Sequence, residues 1–366
     1  GLCIADCPEG INPRRMLMLA NTVEAEQDSP TPQLFRKMSR SIRIMAAMQL
    51  APPEFDRLLR NPRARPADVV FYTGCNPIRP PPLLFNAMAI LDALEVDYEV
   101  VGGPGACCGI IQSKWEGNQG SAEKVVDGTI NRFAGFQPKD VLSWCPSCVL
   151  HLGETLSGFR QASFEFDHVT NYLIDRAEGL ADKFIQPVNK RVLLHTHDGM
   201  DKIGRNVAAM LAAVPGLTLV DMVSEPGYTC GGSGADRSPD LKQAARAVTV
   251  ARAAADDVDV LVSLYHGCHG QLSGLQAAGD FEVMNWTDIL VQALGQQPHD
   301  DISKRYRMRD DWDMVLDEGE IFLKANGIDM DRDWLKGLLP DIFGQTEFKG
   351  GLEDFGCERE SVGAAK

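Results

Sequence analysis

From Asn12 to about Leu59 apolar residues recur every three to four positions, with Met16, Leu17 and Leu19 followed by Met38, Ile42, Ile44, Met45 and Met48. That period predicts helices with one apolar face, and the methionines read as core side chains. Pro30 and Pro32 split the run into two helices, and Pro52-Pro53 is expected to end the second. The Pro/Arg-rich stretch Asn61–Pro66 then reads as a linker.

From Val69 the rhythm changes to short apolar strands alternating with longer helical segments, which predicts parallel α/β units. The strands are Val69–Thr73, Tyr98–Val101 and Val141–Trp144, with helices near Leu83–Leu94 and Ser121–Phe136. A second set follows the same plan. Its strands are Arg191–His195, Leu217–Val223 and Val258–Leu264, with helices near Ile203–Val214 and Leu241–Asp256. Local text repeats as well: Pro104-Gly105-Ala106-Cys107-Cys108-Gly109 answers to Pro226-Gly227-Tyr228-Thr229-Cys230-Gly231, and Asp140-Val141-Leu142 to Asp259-Val260-Leu261. An internal duplication is inferred.

Past Gln297 the chain is charged but still carries Trp312, Phe322, Trp334, Leu338 and Phe343, too much apolar surface for a disordered tail. A helical extension packed on a partner subunit is expected there. The resulting layout is residues 1–66 as a helical leader, 67–188 and 189–296 as the two repeats, and 297–366 as the extension.

The cysteines fall at particular places in this plan. Cys75 follows the first strand, Cys107-Cys108-Gly109 the second, and Cys145-Pro146-Ser147-Cys148 the third. Neighbouring parallel strands bring their carboxyl ends to one crevice, so three distant segments are expected to meet at one site. Soft thiolates at that density favour zinc or an iron–sulfur cluster, and structural zinc uses four ligands where five are present. In the second repeat the equivalent positions hold His197, Thr229, Cys230, Tyr265 and Cys268. Two readings stay open there: a small metal site such as zinc, with His195, His266 or His269 as further ligands, or a substrate pocket formed by His197, Cys230, Tyr265 and Cys268. Near the start, Cys3 and Cys7-Pro8 form the C-x3-C-P end of a ferredoxin-type motif, a partial set that a longer natural chain would complete upstream. Cys357 reads as an ordinary free thiol.

Composition narrows the setting. The 366 residues suit about two domains, and 44% hydrophobic with 24% charged residues reads as a globular chain. No apolar run of ~18 residues predicts a membrane span. A net charge of −15 argues against nucleic acid or an anionic membrane as partner. Ten cysteines in so long and regular a chain point to a reducing cytoplasm more than to a disulfide-stapled secreted fold.

The first-repeat pattern C-x31-C-C-G-x35-C-P-x-C resembles the cysteine-rich CCG domain of heterodisulfide reductase B-type subunits. Related domains occur in the sulfite-reductase-associated K subunit and in iron–sulfur subunits of glycolate, lactate and glycerol-3-phosphate oxidation. The implied fold is α/β, with two tandem Rossmann-like parallel-sheet CCG repeats, preceded by a remnant of a C-type helical ferredoxin module and followed by a helical extension. The implied cofactor is a noncubane [4Fe-4S] cluster held by Cys75, Cys107, Cys108, Cys145 and Cys148, with a cubane [4Fe-4S] in the full-length chain through Cys3 and Cys7. The family's reaction is disulfide/thiol chemistry. One intact motif, one degenerate motif and a ferredoxin remnant look most like the second B-type subunit of the sulfur-oxidising heterodisulfide-reductase-like complex. That likeness implies a cytoplasmic oxidoreductase acting on lipoate-bound sulfur, with flavin-containing A-type and C-type/B-type iron–sulfur subunits and a lipoate-binding protein as partners. Alternatives are the K-type subunit, an electron-relay subunit of a hydroxy-acid dehydrogenase, and a zinc-binding scaffold without redox function.

Overall fold

The computed structural model describes residues 7–9, 11–28, 33–59, 65–158, 161–197, 201–223, 230, 239–309 and 311–344. Cys3, Pro30, Pro32, Thr229, Cys357 and most of the Asn61–Pro66 linker lie outside them.

Helices α1 (Pro13–Asp28) and α2 (Gln33–Ala47) open the fold. Ile42, Ile44, Met45 and Met48 are buried as core residues. Met16, Leu17 and Leu19 are not: each is at least 60% exposed, so the first helix keeps its apolar side chains outside the core. Pro52-Pro53 opens a helix rather than closing one. Helix α3 runs Pro52–Leu59, because a proline in the first turn loses only an N–H that has no helical acceptor.

The chain then runs β1 (Val69–Gly74), α4 (Pro81–Ala93), β2 (Tyr98–Gly102), α5 (Gln119–Ala134), β3 (Asp140–Ser143), α6 (Pro146–Gly158), β4 (Glu165–His168), α7 (Val169–Ile174) and α8 (Ala177–Ala181). A second series follows: β5 (Arg191–His195), α9 (Asp201–Ala212), β6 (Thr218–Val223), α10 (Pro239–Ala255), β7 (Val260–Ser263), α11 (His266–Leu272), β8 (Glu282–Asn285) and α12 (Trp286–Ala293). The two sheets have the orders β2-β1-β3-β4 and β6-β5-β7-β8, the same topology twice, and every pairing is parallel. This is the duplicated α/β fold.

Strand β1 is buried along its whole length, as expected for a central parallel strand covered on both faces. Val69 pairs with Tyr98 on one side and Asp140 on the other, so the connections leave β1 in opposite directions. That reversal is a topological switch point, and ligands in such sheets lie outside the strands' carboxyl ends beside it. The apolar pattern does not predict the fourth strand of either sheet. In β4, Glu165-Phe166-Asp167-His168 is a four-residue edge strand with three residues at least partly exposed, too short and polar to show an apolar run.

Contacts divide the chain into two compact units. One comprises Gly1–Leu84, Val96–Tyr172 and Leu316–Met330; the other comprises Phe85–Glu95, Leu173–Val315 and Asp331–Lys366. The extension forms α13 (Ile302–Met308), α14 (Trp312–Ala325) and α15 (Arg332–Phe343). Part of it packs on its own chain, while Trp334 and Ile321 stay exposed and Trp312, Phe322 and Leu338 are half-buried. Tyr306 and Phe343 are fully buried against each other at 5.3 Å between ring centroids, and Asn326 Nδ2 donates to the Leu50 carbonyl at 2.8 Å. No described helix is long and apolar enough to cross a membrane.

Candidate metal centre

The three strand ends beside the first switch point each deliver cysteines. Cys75 lies directly after β1 and begins a 3-10 turn at Asn76–Ile78. Cys107 and Cys108 follow β2 after a second such turn at Pro104–Ala106. Cys145 immediately precedes α6 and Cys148 lies in its first turn. Pro146 therefore starts a helix at the C-x-x-C rather than shaping an isolated turn, another proline at a position where its missing N–H costs nothing.

All five thiols are buried. Cys75 Sγ lies 3.9 Å from Cys107 Sγ. From there Cys107 contacts Cys108, Cys108 contacts Cys148 and Cys148 contacts Cys145, a continuous path of sulfur through the crevice. Two glycines with positive φ shape the turns around these sulfurs. Gly74 has φ +76°, and a Cβ there would sit 3.4 Å from Cys148 Sγ. Gly109 has φ +83°, and its N–H donates to Cys107 Sγ at 3.4 Å.

Hydrogen bonding divides the five thiols into two kinds. Contacts from Cys108 and Cys75 push the Cys107 thiol down, and the contact from Cys148 pushes the Cys145 thiol down. Donation to Cys107 pushes Cys75 and Cys108 up, donation to Cys108 and then Cys145 pushes Cys148 up, and burial adds to all three. Cys107 and Cys145 are thus the sulfurs on which negative charge is best held. The walls support the same atoms. Tyr72 Oη accepts from Cys148 Sγ at 3.8 Å and donates to the Ala106 carbonyl at 2.8 Å; burial pushes its phenol up, so it stays neutral. Thr129 Oγ1 donates to the Cys107 carbonyl at 2.8 Å.

The cysteine pattern gives no sign of two further neighbours. The Arg79 guanidinium is pushed down by burial, and the charge of Cys75 acts on it in the opposite sense. Gln112 lies on a π-helical turn, Ile111–Trp115, with Oε1 4.0 Å from Cys107 Sγ. Gln112 Nε2 and Arg79 Nε are buried N–H donors with no protein acceptor. A buried donor without a partner costs about 1–3 kcal/mol, so both suit an acceptor that the protein does not itself supply. Inorganic sulfide is such an acceptor. Among the described residues no three His, Cys, Asp or Glu side chains are arranged around one metal ion. Five buried thiols joined in a path, with spare N–H donors beside them, fit a polynuclear iron–sulfur group better than a mononuclear ion.

The second repeat brings together different pairs. Cys230 and Cys268 are buried and in direct side-chain contact. The His197 and Tyr265 rings lie 6.3 Å apart between centroids. His195 and His266 are both buried. His269 is spoken for, which corrects its candidacy as a metal ligand: its Nδ1 pairs with Ser263 Oγ at 2.9 Å and its Nε2 with Asp301 Oδ2 at 2.6 Å. A zinc site in this repeat has no set of three ligands among the described residues. Cys7 is half-buried, and its motif partner Cys3 is outside the described residues.

The cysteine-rich CCG domain model matches residues 69–153 and again residues 195–273. The chain is a two-copy CCG cysteine-rich-domain protein. The first CCG domain contains all five clustered cysteines, and the second contains His197, Cys230, Tyr265 and Cys268. The D-type subunit of the dihydromethanophenazine:CoB–CoM heterodisulfide reductase of Methanosarcina barkeri is 26% identical over 247 residues, spanning 63% of this chain and 59% of that protein. The chain thus covers less than two thirds of that relative's length.

Proposed function

We propose that this CCG protein is an iron–sulfur oxidoreductase subunit whose first domain holds a noncubane [4Fe-4S] cluster and acts in disulfide/thiol chemistry. The observation that carries this reading is the path of five buried thiols at the carboxyl ends of three adjacent strands. The similarity to a heterodisulfide reductase component supports the reaction class.

Cys75, Cys107, Cys108, Cys145 and Cys148 would be the ligands. Bound there, the cluster supplies one-electron steps and an iron open to a substrate sulfur, which disulfide cleavage or formation requires of a centre fed by single-electron carriers. The protein's own part is electrostatic. Burial of the five sulfurs excludes water, and the Gly109 N–H donates to Cys107. Arg79 supplies positive charge beside Cys75. Gln112 can turn its amide so that Nε2 faces Cys107, because a metal-bound thiolate accepts hydrogen bonds and has none to donate. These groups offset negative charge that would otherwise be prohibitive to bury.

The same reading makes the chain one subunit of a cytoplasmic sulfur-oxidising assembly, with lipoate-bound sulfur as substrate and flavin-containing A-type and C-type/B-type iron–sulfur subunits and a lipoate-binding protein as partners. His197, Cys230, Tyr265 and Cys268 would belong to the sulfur-handling surface of the second domain, and Cys3 and Cys7 to a cubane site in the full-length chain. Anaerobic purification followed by EPR tests the cluster. A paramagnetic signal that responds to added thiol, is abolished by Cys107→Ala and survives Cys230→Ala supports it; a signal indifferent to Cys107→Ala overturns it. Co-purification with lipoate-binding or flavin subunits tests the pathway.

A further inference from the structure

The degenerate domain has kept one particular feature of the intact one. In the first domain Cys108, after β2, touches Cys148, which lies 148 − 143 = 5 residues beyond the end of β3. In the second, Cys230, after β6, touches Cys268, which lies 268 − 263 = 5 residues beyond the end of β7. The sheet orders make these equivalent positions. Of the five sulfur positions, the two retained are a pair in direct contact, while His197, Thr229 and Tyr265 occupy the others.

Two cysteine sulfurs are fewer than the four thiolates of an all-cysteine cluster site. What two contacting thiols can do is join, since a disulfide requires Cβ atoms only ~3.5–4.5 Å apart. We propose that Cys230 and Cys268 form a reversible dithiol–disulfide couple, a second sulfur site in the degenerate domain whose oxidant is a small or protein-bound disulfide.

The exchange balances without any further reagent. One cysteine sulfur attacks the disulfide R–S–S–R, its S–S bond breaks and the first R–S⁻ leaves with the proton the cysteine gave up. The second cysteine sulfur then displaces the remaining R–S⁻, forming the Cys230–Cys268 bond and releasing the second proton to the second thiol product. Two electrons pass from the pair to the oxidant. The contact with Cys230 and burial both push the Cys268 thiol up, so Cys268 rests protonated.

The test uses the wild-type chain, purified anaerobically, exposed to glutathione disulfide, alkylated and mapped as peptides without reduction. The expected product is a Cys230 peptide joined to a Cys268 peptide, lighter by two hydrogen atoms than the separate peptides and lost again after dithiothreitol. In Cys268→Ser the same treatment should leave glutathione on Cys230. The proposal is overturned if both cysteines remain alkylatable after oxidation, or if stoichiometric zinc is released from the second domain by a chelator. Neither outcome depends on iron in the first domain, so this inference and the cluster reading can fail separately.

Discussion

Cys75 Sγ and Cys107 Sγ meet at 3.9 Å although 32 positions of sequence separate them. The meeting is a product of topology: β1 and β2 are parallel neighbours, so their carboxyl ends and the residues just beyond them emerge side by side. Everything proposed for the first CCG domain builds on that adjacency.

Gln112 provides a test that leaves the ligands alone. Its Nε2 lacks a protein acceptor, and turning the amide gives Cys107 an N–H donor. Hydrogen bonds to cluster sulfurs favour the more negative, reduced state and raise the potential. Gln112→Leu is expected to keep the iron and lower the reduction potential by on the order of 50 mV, the one-electron equivalent of about 1 kcal/mol. Redox-poised EPR titration measures it. An unchanged potential would remove Gln112 from the electrostatic account.

Gly109 tests the backbone. At φ +83° an alanine is strained, and its Cβ would come within 2.8 Å of Val126 Cγ2 and 3.1 Å of the Ala122 carbonyl oxygen. Gly109→Ala is expected to destabilise the first domain by about 1–3 kcal/mol, read from denaturant unfolding. Wild-type stability would show that the loop after Cys108 is free to rearrange.

The cysteine positions are legible in the sequence because β1 is a nearly continuous apolar run and each cysteine group follows a short, mostly apolar strand. The duplication is legible for the same reason, since β5 and β7 repeat the pattern. Other features leave no local mark. Arg79 and Gln112 matter through burial and unmet donors, which arise only when segments distant in sequence close around them. Pro52-Pro53 reads equally as a stop or a start, and burial of Phe55 and Leu58 on the following turns decides for a start. On α14 and α15 the chain itself covers Leu316, Leu335 and Leu339, while Ile321 and Trp334 stay exposed, a division that the apolar pattern alone does not show.

Asp288 gives the second unit a pH signature. Burial pushes its carboxyl up to about 6, while its oxygens accept from Asn86 Nδ2 at 2.6 Å and from the Asn285 N–H at 2.7 Å. The folded state therefore holds a proton that the unfolded chain releases near pH 4. The associated stability is complete below about pH 4 and is lost as pH rises through about 6, a decline of roughly 3 kcal/mol. Unfolding free energies of wild type and Asp288→Asn between those limits should show the decline in the former and a flatter line in the latter. Parallel lines would contradict the assignment.

Metal analysis of the anaerobically purified chain tests the central claim most directly. Five buried thiolates holding one cluster predict about four iron and about four acid-labile sulfide per chain, lost together in Cys107→Ala. Zinc without iron would contradict it.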